Sequence, residues 1–117
     1  MKESLLLLPH PLAPQSGIER PASGTVIRVG EPVEIRGWAW AFGGAAAVEI
    51  SFDDGFSFTR AALEPRRGRG WQSFSMLWLP LEAGEVRLCA RAFDASGATQ
   101  PLEGARNAVH SVRVIVR

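Results

Sequence analysis

Apolar and polar residues alternate one for one through much of this chain, in short runs broken by glycine, proline and aspartate. Successive side chains of an extended backbone point to opposite sides, so such runs make strands with one apolar and one polar face. The pattern is clearest from Val33 to Phe58. Val33, Ile35, Gly37, Ala39 and Ala41 fall on one side, and Glu34, Arg36, Trp38, Trp40 and Phe42 on the other. Gly43-Gly44 interrupts the run, and Val48, Ile50 and Phe52 resume it. Asp53-Asp54-Gly55 then reads as a second tight turn, since glycine takes positive φ cheaply and aspartate tolerates turn positions. The stretch is expected to form the hairpin at the core of the fold, with no helical period anywhere in it.

The remaining runs extend the same architecture. Residues 1–15 are interrupted by Pro9, Pro11 and Pro14, so they read as an extended arm, with Leu5–Leu8 packed on the domain or on a partner. Residues 16–117 read as one domain. Short strands are expected near Gly17–Arg20 and Thr25–Val29, with turns at Pro21–Gly24 and Gly30–Pro32. Phe58–Leu63 reads as one strand, and Glu64–Gly70 as a basic loop carrying Arg66, Arg67 and Arg69. Phe74, Met76 and Trp78 alternate with Ser73, Ser75 and Leu77. Leu88, Ala90 and Ala92 oppose Arg87, Cys89 and Arg91, and Val112, Val114 and Val116 close the domain facing inward. Seven or eight short antiparallel strands, spaced about 8–12 residues apart, make an all-β sandwich.

Composition excludes several functions. With 46% hydrophobic and 21% charged residues the chain is that of a folded, soluble domain, and 117 residues suffice for one core. A net charge of +1 favours neither nucleic acid nor a membrane surface as partner. The apolar run Leu5–Leu8 is too short for a signal peptide and far too short to span a bilayer. The single cysteine, Cys89, rules out an internal disulfide, including the inter-sheet bridge of antibody domains, and leaves the compartment open.

Several phrases, in order along the chain, carry a family resemblance. They begin with Gly37-Trp38-Ala39-Trp40, Gly43-Gly44, Val48-Glu49-Ile50-Ser51, Asp53-Asp54-Gly55 and Phe58. Pro14-Gln15-Ser16 with Ile18 and Pro21, then Trp71 and Trp78, continue it. Arg91-Ala92-Phe93-Asp94 with Gly97 and Gln100-Pro101, and Asn107-Ala108-Val109-His110 with Val112 and Val114, complete it. Together they resemble the immunoglobulin-like C-terminal dimerisation domain of sulfite-oxidase-type molybdenum oxidoreductases. The family's segment before the closing asparagine is longer and carries a tryptophan; here only Leu102–Arg106 remain, so no substrate-facing role passes to Arg106. The resemblance implies that molybdopterin belongs to a catalytic domain outside this chain and that no cofactor is bound here. It also implies a homodimer, or association with a molybdenum oxidoreductase subunit, and it is compatible with a periplasmic setting.

No catalytic or metal site emerges from the residues themselves. His10, His110 and Cys89 lack ligand spacing, so His110 reads as a structural histidine bonding a backbone group. Cys89 sits mid-strand, where inert packing is expected rather than a lowered thiol pKa. Asp53 and Asp54 have no neighbours to complete a calcium shell. Glu31, Glu34 and Glu49 form no acid–base pair that spacing can place. The four tryptophans are first of all packing residues. Trp38 and Trp40, however, share a face with Glu34 and Arg36, and interfaces are enriched in aromatics and arginine. Trp38, Trp40 and Arg36, with His110, Val112 and Val114 of the last strand, are therefore the candidate interface residues. The expectation is a non-catalytic dimerisation or subunit-association domain. The alternative is a free-standing module of the same fold binding a carbohydrate or protein through its aromatics.

Overall fold

The computed structural model describes residues 14–66, 68, 70–100 and 110–117. In chain order the strands are β1 (Gln15–Arg20), β2 (Val26–Ile27), β3 (Val33–Trp40), β4 (Ala45–Ser51) and β5 (Thr59–Arg60). β6 (Ala62–Leu63), β7 (Gln72–Trp78), β8 (Gly84–Asp94) and β9 (His110–Val116) follow. They form two sheets, β1-β3-β7-β6 and β2-β9-β8-β4-β5. The expected sandwich is present, and its pairings are antiparallel except for one: the two-residue β2 runs parallel to β9.

Alternation places the core as expected. Ile35 and Phe74 of the first sheet meet Val48, Ile50, Leu88 and Val114 of the second, all nearly or fully buried. Dry burial of these inward rows is the dominant force holding the sheets together. Two glycines are small because their neighbours need the room. A side-chain carbon on Gly37 would run into the Phe74 ring and the Gly17 carbonyl, while one on Gly17 would lie 2.5 Å from Trp38 Nε1. Trp38 therefore lies over β1 through the gap that Gly17 leaves.

Two connections differ from the expected hairpin core. β3 and β4 do not pair: they lie in different sheets, and Gly43-Gly44 is a corner between them. Ala41 accepts a hydrogen bond from Gly44 N–H at 2.9 Å, and both glycines have positive φ (81° and 105°). The register partners chosen instead are β7 for β3 and β8 for β4. Likewise Phe58–Leu63 is not one strand. β5 pairs with β4 and β6 with β7, so the chain changes sheets at the buried Ala61, whose N–H donates to Val48 O at 2.9 Å. The Asp53-Asp54-Gly55 turn does close a hairpin, β4 to β5, with Asp54 at φ 66° and Gly55 at φ 87°. Of the proposed arm, residues 1–13 lie outside the described residues, and Gln15 is already the first residue of β1.

Both sides of the sandwich are closed by these and similar links. At the β1 side, Ile18 N–H donates to His110 Nδ1 at 2.9 Å, joining the first sheet to the second. Ser16 Oγ lies 2.7 Å from Gln100 Oε1, which also accepts from Ala92 N–H at 2.9 Å. At the opposite side Gln72 holds the head of β4: its Oε1 accepts from Ala45 N–H at 2.8 Å, and its Nε2 donates to Glu64 O at 2.9 Å.

Candidate association surface

The two outward faces of the sandwich differ in chemistry. On the second sheet the outward charges of β4, β5, β8 and β9 pair with one another or with the adjoining β4–β5 loop. Arg91 donates through Nε and Nη2 to Glu49 Oε1 at 3.0 and 2.7 Å, with its guanidinium 3.6 Å over the Phe58 ring. Arg60 lies 3.7 Å from Glu49, Arg113 2.8 Å from Glu85, and Arg87 3.4 Å from Asp54. Beneath this layer Ser51 and Cys89, register partners, are fully buried. Burial pushes the Cys89 thiol up from its ordinary pKa, so the thiolate needed for a nucleophile or ligand is disfavoured.

The first sheet presents another surface. β3 turns Glu34, Arg36, Trp38 and Trp40 outward, β7 turns Ser73, Ser75 and Leu77 outward, and Trp71, just before β7, is exposed on the same side. Trp38 pairs with Ser73, Arg36 with Ser75 and Glu34 with Leu77. Trp71 is 68% exposed and Leu77 73%, and the Trp71 ring lies 6.0 Å from that of Trp38 at a tilt of 40°. Arg36 and Glu34 form a half-exposed pair at 2.9 Å. Shallow depressions flank Arg36, one lined by Glu64, Trp71 and Ser75, the other by Glu19, Arg20 and Glu34. Aromatic, aliphatic and mixed-charge groups thus share one open face.

The candidate interface residues of the sequence separate accordingly. Trp38, Trp40 and Arg36 come together on this face. Val112 and Val114 do not: both point into the core, 6% and 0% exposed, and offer a partner nothing. His110 is a link between β1 and β9, bonding a backbone group as expected of a structural histidine. Trp71, one of the four tryptophans, and Leu77, which is not among those candidates, stand beside Trp38, Trp40 and Arg36 on the same face, and the alternation through Ser73 and Ser75 already turns both outward. Among the described residues no group of three or more His, Cys, Asp or Glu is arranged to hold a metal ion. Arg67, Arg69 and Arg106 lie outside the described residues.

Comparison with known proteins decides the family. The model of the Mo-co oxidoreductase dimerisation domain matches residues 10–115. The chain belongs to that family. Mitochondrial sulfite oxidase of Rattus norvegicus is 35% identical over 95 residues, covering 74% of this chain and 17% of that protein. This Mo-co dimerisation domain therefore spans less than a fifth of that relative's length. The sulfane dehydrogenase SoxCD of Paracoccus pantotrophus shares the fold at a TM-score of 0.68 and 22% identity, over 87% of this chain and 30% of that one. The fibronectin(III)-like modules of Clostridium thermocellum CbhA match at a TM-score of 0.61 and 14% identity, covering 87% of this chain and 94% of that one. The architecture is thus an immunoglobulin-like sandwich. No helix among the described residues is long and apolar enough to cross a membrane.

Proposed function

We propose that this Mo-co dimerisation domain is a non-catalytic association module of a sulfite-oxidase-type molybdenum oxidoreductase, and that it pairs protein chains through the outward face of the first sheet. The observation that carries the choice of face is the contrast between the two outward surfaces. Ion pairs and the Arg91–Phe58 contact already occupy the charged groups of β4, β5, β8 and β9 on the second sheet. Trp71 and Leu77 of the first sheet stand in water, where burial against a partner gains the hydrophobic free energy of both. The edges are poor alternatives, because β2, β5 and β6 have two residues each and β1 is tied across by His110.

The donor set of this chain does not fit a molybdenum cofactor. Its one thiol is fully buried mid-strand, with burial holding it protonated. Any cofactor-dependent sulfur oxidation belongs to another domain or subunit, and this chain contributes the contact that holds such units together. Trp71 and Trp38 also make a small stacking platform, which keeps carbohydrate binding as the second reading. Size-exclusion chromatography with light scattering over a range of concentrations separates the two. A dimer that dissociates on dilution, or a complex with a molybdenum oxidoreductase, supports association; a monomer at every concentration that binds glycans overturns it.

A further inference from the structure

We infer that His110 is an acid-sensitive latch between the two sheets, and that its release loosens the seat of Trp38. Ile18 N–H donates to His110 Nδ1 at 2.9 Å. An imidazole nitrogen that accepts carries no proton, so the neutral ring holds its hydrogen on Nε2. Both nitrogens of the imidazolium donate, and a protonated Nδ1 would meet the Ile18 N–H donor to donor. His110 is exposed, so protons reach the ring from water and the charged ring has water to turn into. Histidine is the side chain whose charge ordinarily changes between about pH 5 and 8. The other ties on the β1 side run from Ser16 Oγ to Ala90 O at 3.2 Å and to Gln100 Oε1 at 2.7 Å, and those groups do not titrate. Of the charged side chains on the strands around His110, β1 brings Glu19 and Arg20, both exposed. Arg87, Arg91 and Arg113 of β8 and β9 stand on the outward side of the second sheet, paired with Asp54, Glu49 and Glu85, and Asp94 is bonded to Ser96.

The effect reaches Trp38 through one peptide unit. The peptide that joins Gly17 to Ile18 carries the N–H held by His110 and, on its other side, the Gly17 carbonyl lying against Gly37. Its plane is therefore set from both sides of β1. Gly17 pairs with Trp38, and the Trp38 ring fills the space that a Gly17 side chain would need. Once His110 lets go, Ile18 N–H is left without its acceptor and the peptide is free to tilt towards water. The floor under the Trp38 indole shifts with it, and so does the contact of that ring with Trp71 at 6.0 Å.

Nuclear magnetic resonance of the full chain between about pH 8 and 5 tests the latch. Across that range the Ile18 amide is expected to lose roughly fivefold in exchange protection, the worth of one neutral hydrogen bond. The Trp38 Nε1–H resonance is expected to move with the same midpoint. His110→Asn puts an amide oxygen where Nδ1 stood, an acceptor at every pH, and should remove both changes. The chain has one other histidine, His10, and His10→Asn should leave both changes in place. Constant protection of Ile18 in the wild type overturns the latch, and so does a step that survives in His110→Asn or disappears in His10→Asn. If His110→Asn does not fold, the wild-type His110 ring resonances decide instead: a ring midpoint different from that of Ile18 overturns the latch equally. An Ile18 step with no movement of Trp38 Nε1–H keeps the latch and overturns its reach to the outward face.

Discussion

Gly17 and Gly37 show how one missing side chain determines what its neighbours do. They sit next to one another across β1 and β3, yet the atoms that fill their space differ in kind. At Gly37 the obstacle is the Gly17 carbonyl together with the Phe74 ring, which is 2% exposed. Backbone and a packed core ring have nowhere to go. Gly37→Ala is accordingly expected to cost about 3 kcal/mol, at the upper end for overpacking, read by urea unfolding. At Gly17 the obstacle is the rim of the half-buried Trp38 indole, which can swing outward. Gly17→Ala should therefore cost only about 1 kcal/mol, while changing the tryptophan emission. It should also weaken self-association, since Trp38 lies on the proposed contact face. Equal costs for the two substitutions would mean that the Phe74 ring yields as readily as Trp38.

Among the elements, strands were legible and their partners were not. Alternation located β3, β7, β8 and β9 and their inward rows, because each run's period is set by the residues within it. The partner of a strand is set by residues far away. An apolar run, a glycine pair and a second apolar run read the same for a hairpin as for a corner between sheets, so Gly43-Gly44 carried no sign of the crossing. The same blindness split Phe58–Leu63 at Ala61, a single buried alanine whose N–H reaches Val48. Val112 and Val114 were a different fault: their alternation already pointed them inward, and the interface assignment ignored it. Asp53-Asp54-Gly55 is legible as the β4–β5 turn, and its chemistry gives a pH dependence. Hydrogen bonds from Ser57 Oγ, Ser57 N–H and Ser51 Oγ pull the Asp53 pKa from 3.8 down to about 2. The folded state thus favours the carboxylate, so its contribution is present above the ordinary value and fades as pH falls towards about 2. Asp53→Asn should lower the thermal midpoint at neutral pH, and its gap from wild type should close on acidification between those two values. Asp94, held low chiefly by the Ser96 hydroxyl, titrates in the same sense, so the Asp53→Asn variant keeps some acid sensitivity of its own. A gap that stays constant with pH would assign the Asp53 effect to something other than its charge.

On the scale of the whole molecule, the face proposed for association lies opposite the face whose charges pair with one another. The second sheet's outward charges bond within the chain: Arg91 joins Glu49 of β4 to Phe58, just before β5. Removing that guanidinium breaks charge-assisted bonds in a partly buried setting, about 2 kcal/mol in comparable cases. Trp71 by contrast is mostly in water in the single chain, and surface substitutions of that kind shift folding by about 0.5 kcal/mol or less. The two variants should therefore separate the properties. Arg91→Ala is expected to unfold at lower urea while keeping the wild-type dissociation constant by light scattering. Trp71→Ala is expected to keep the urea midpoint while losing the dimer at the same protein concentration. Unfolding has to be followed at a concentration where the wild type is largely monomeric, because dimerisation stabilises the folded state by mass action. If Arg91→Ala loosens the dimer and Trp71→Ala does not, the contact lies on the second sheet, and the ion pairs there exchange partners on assembly.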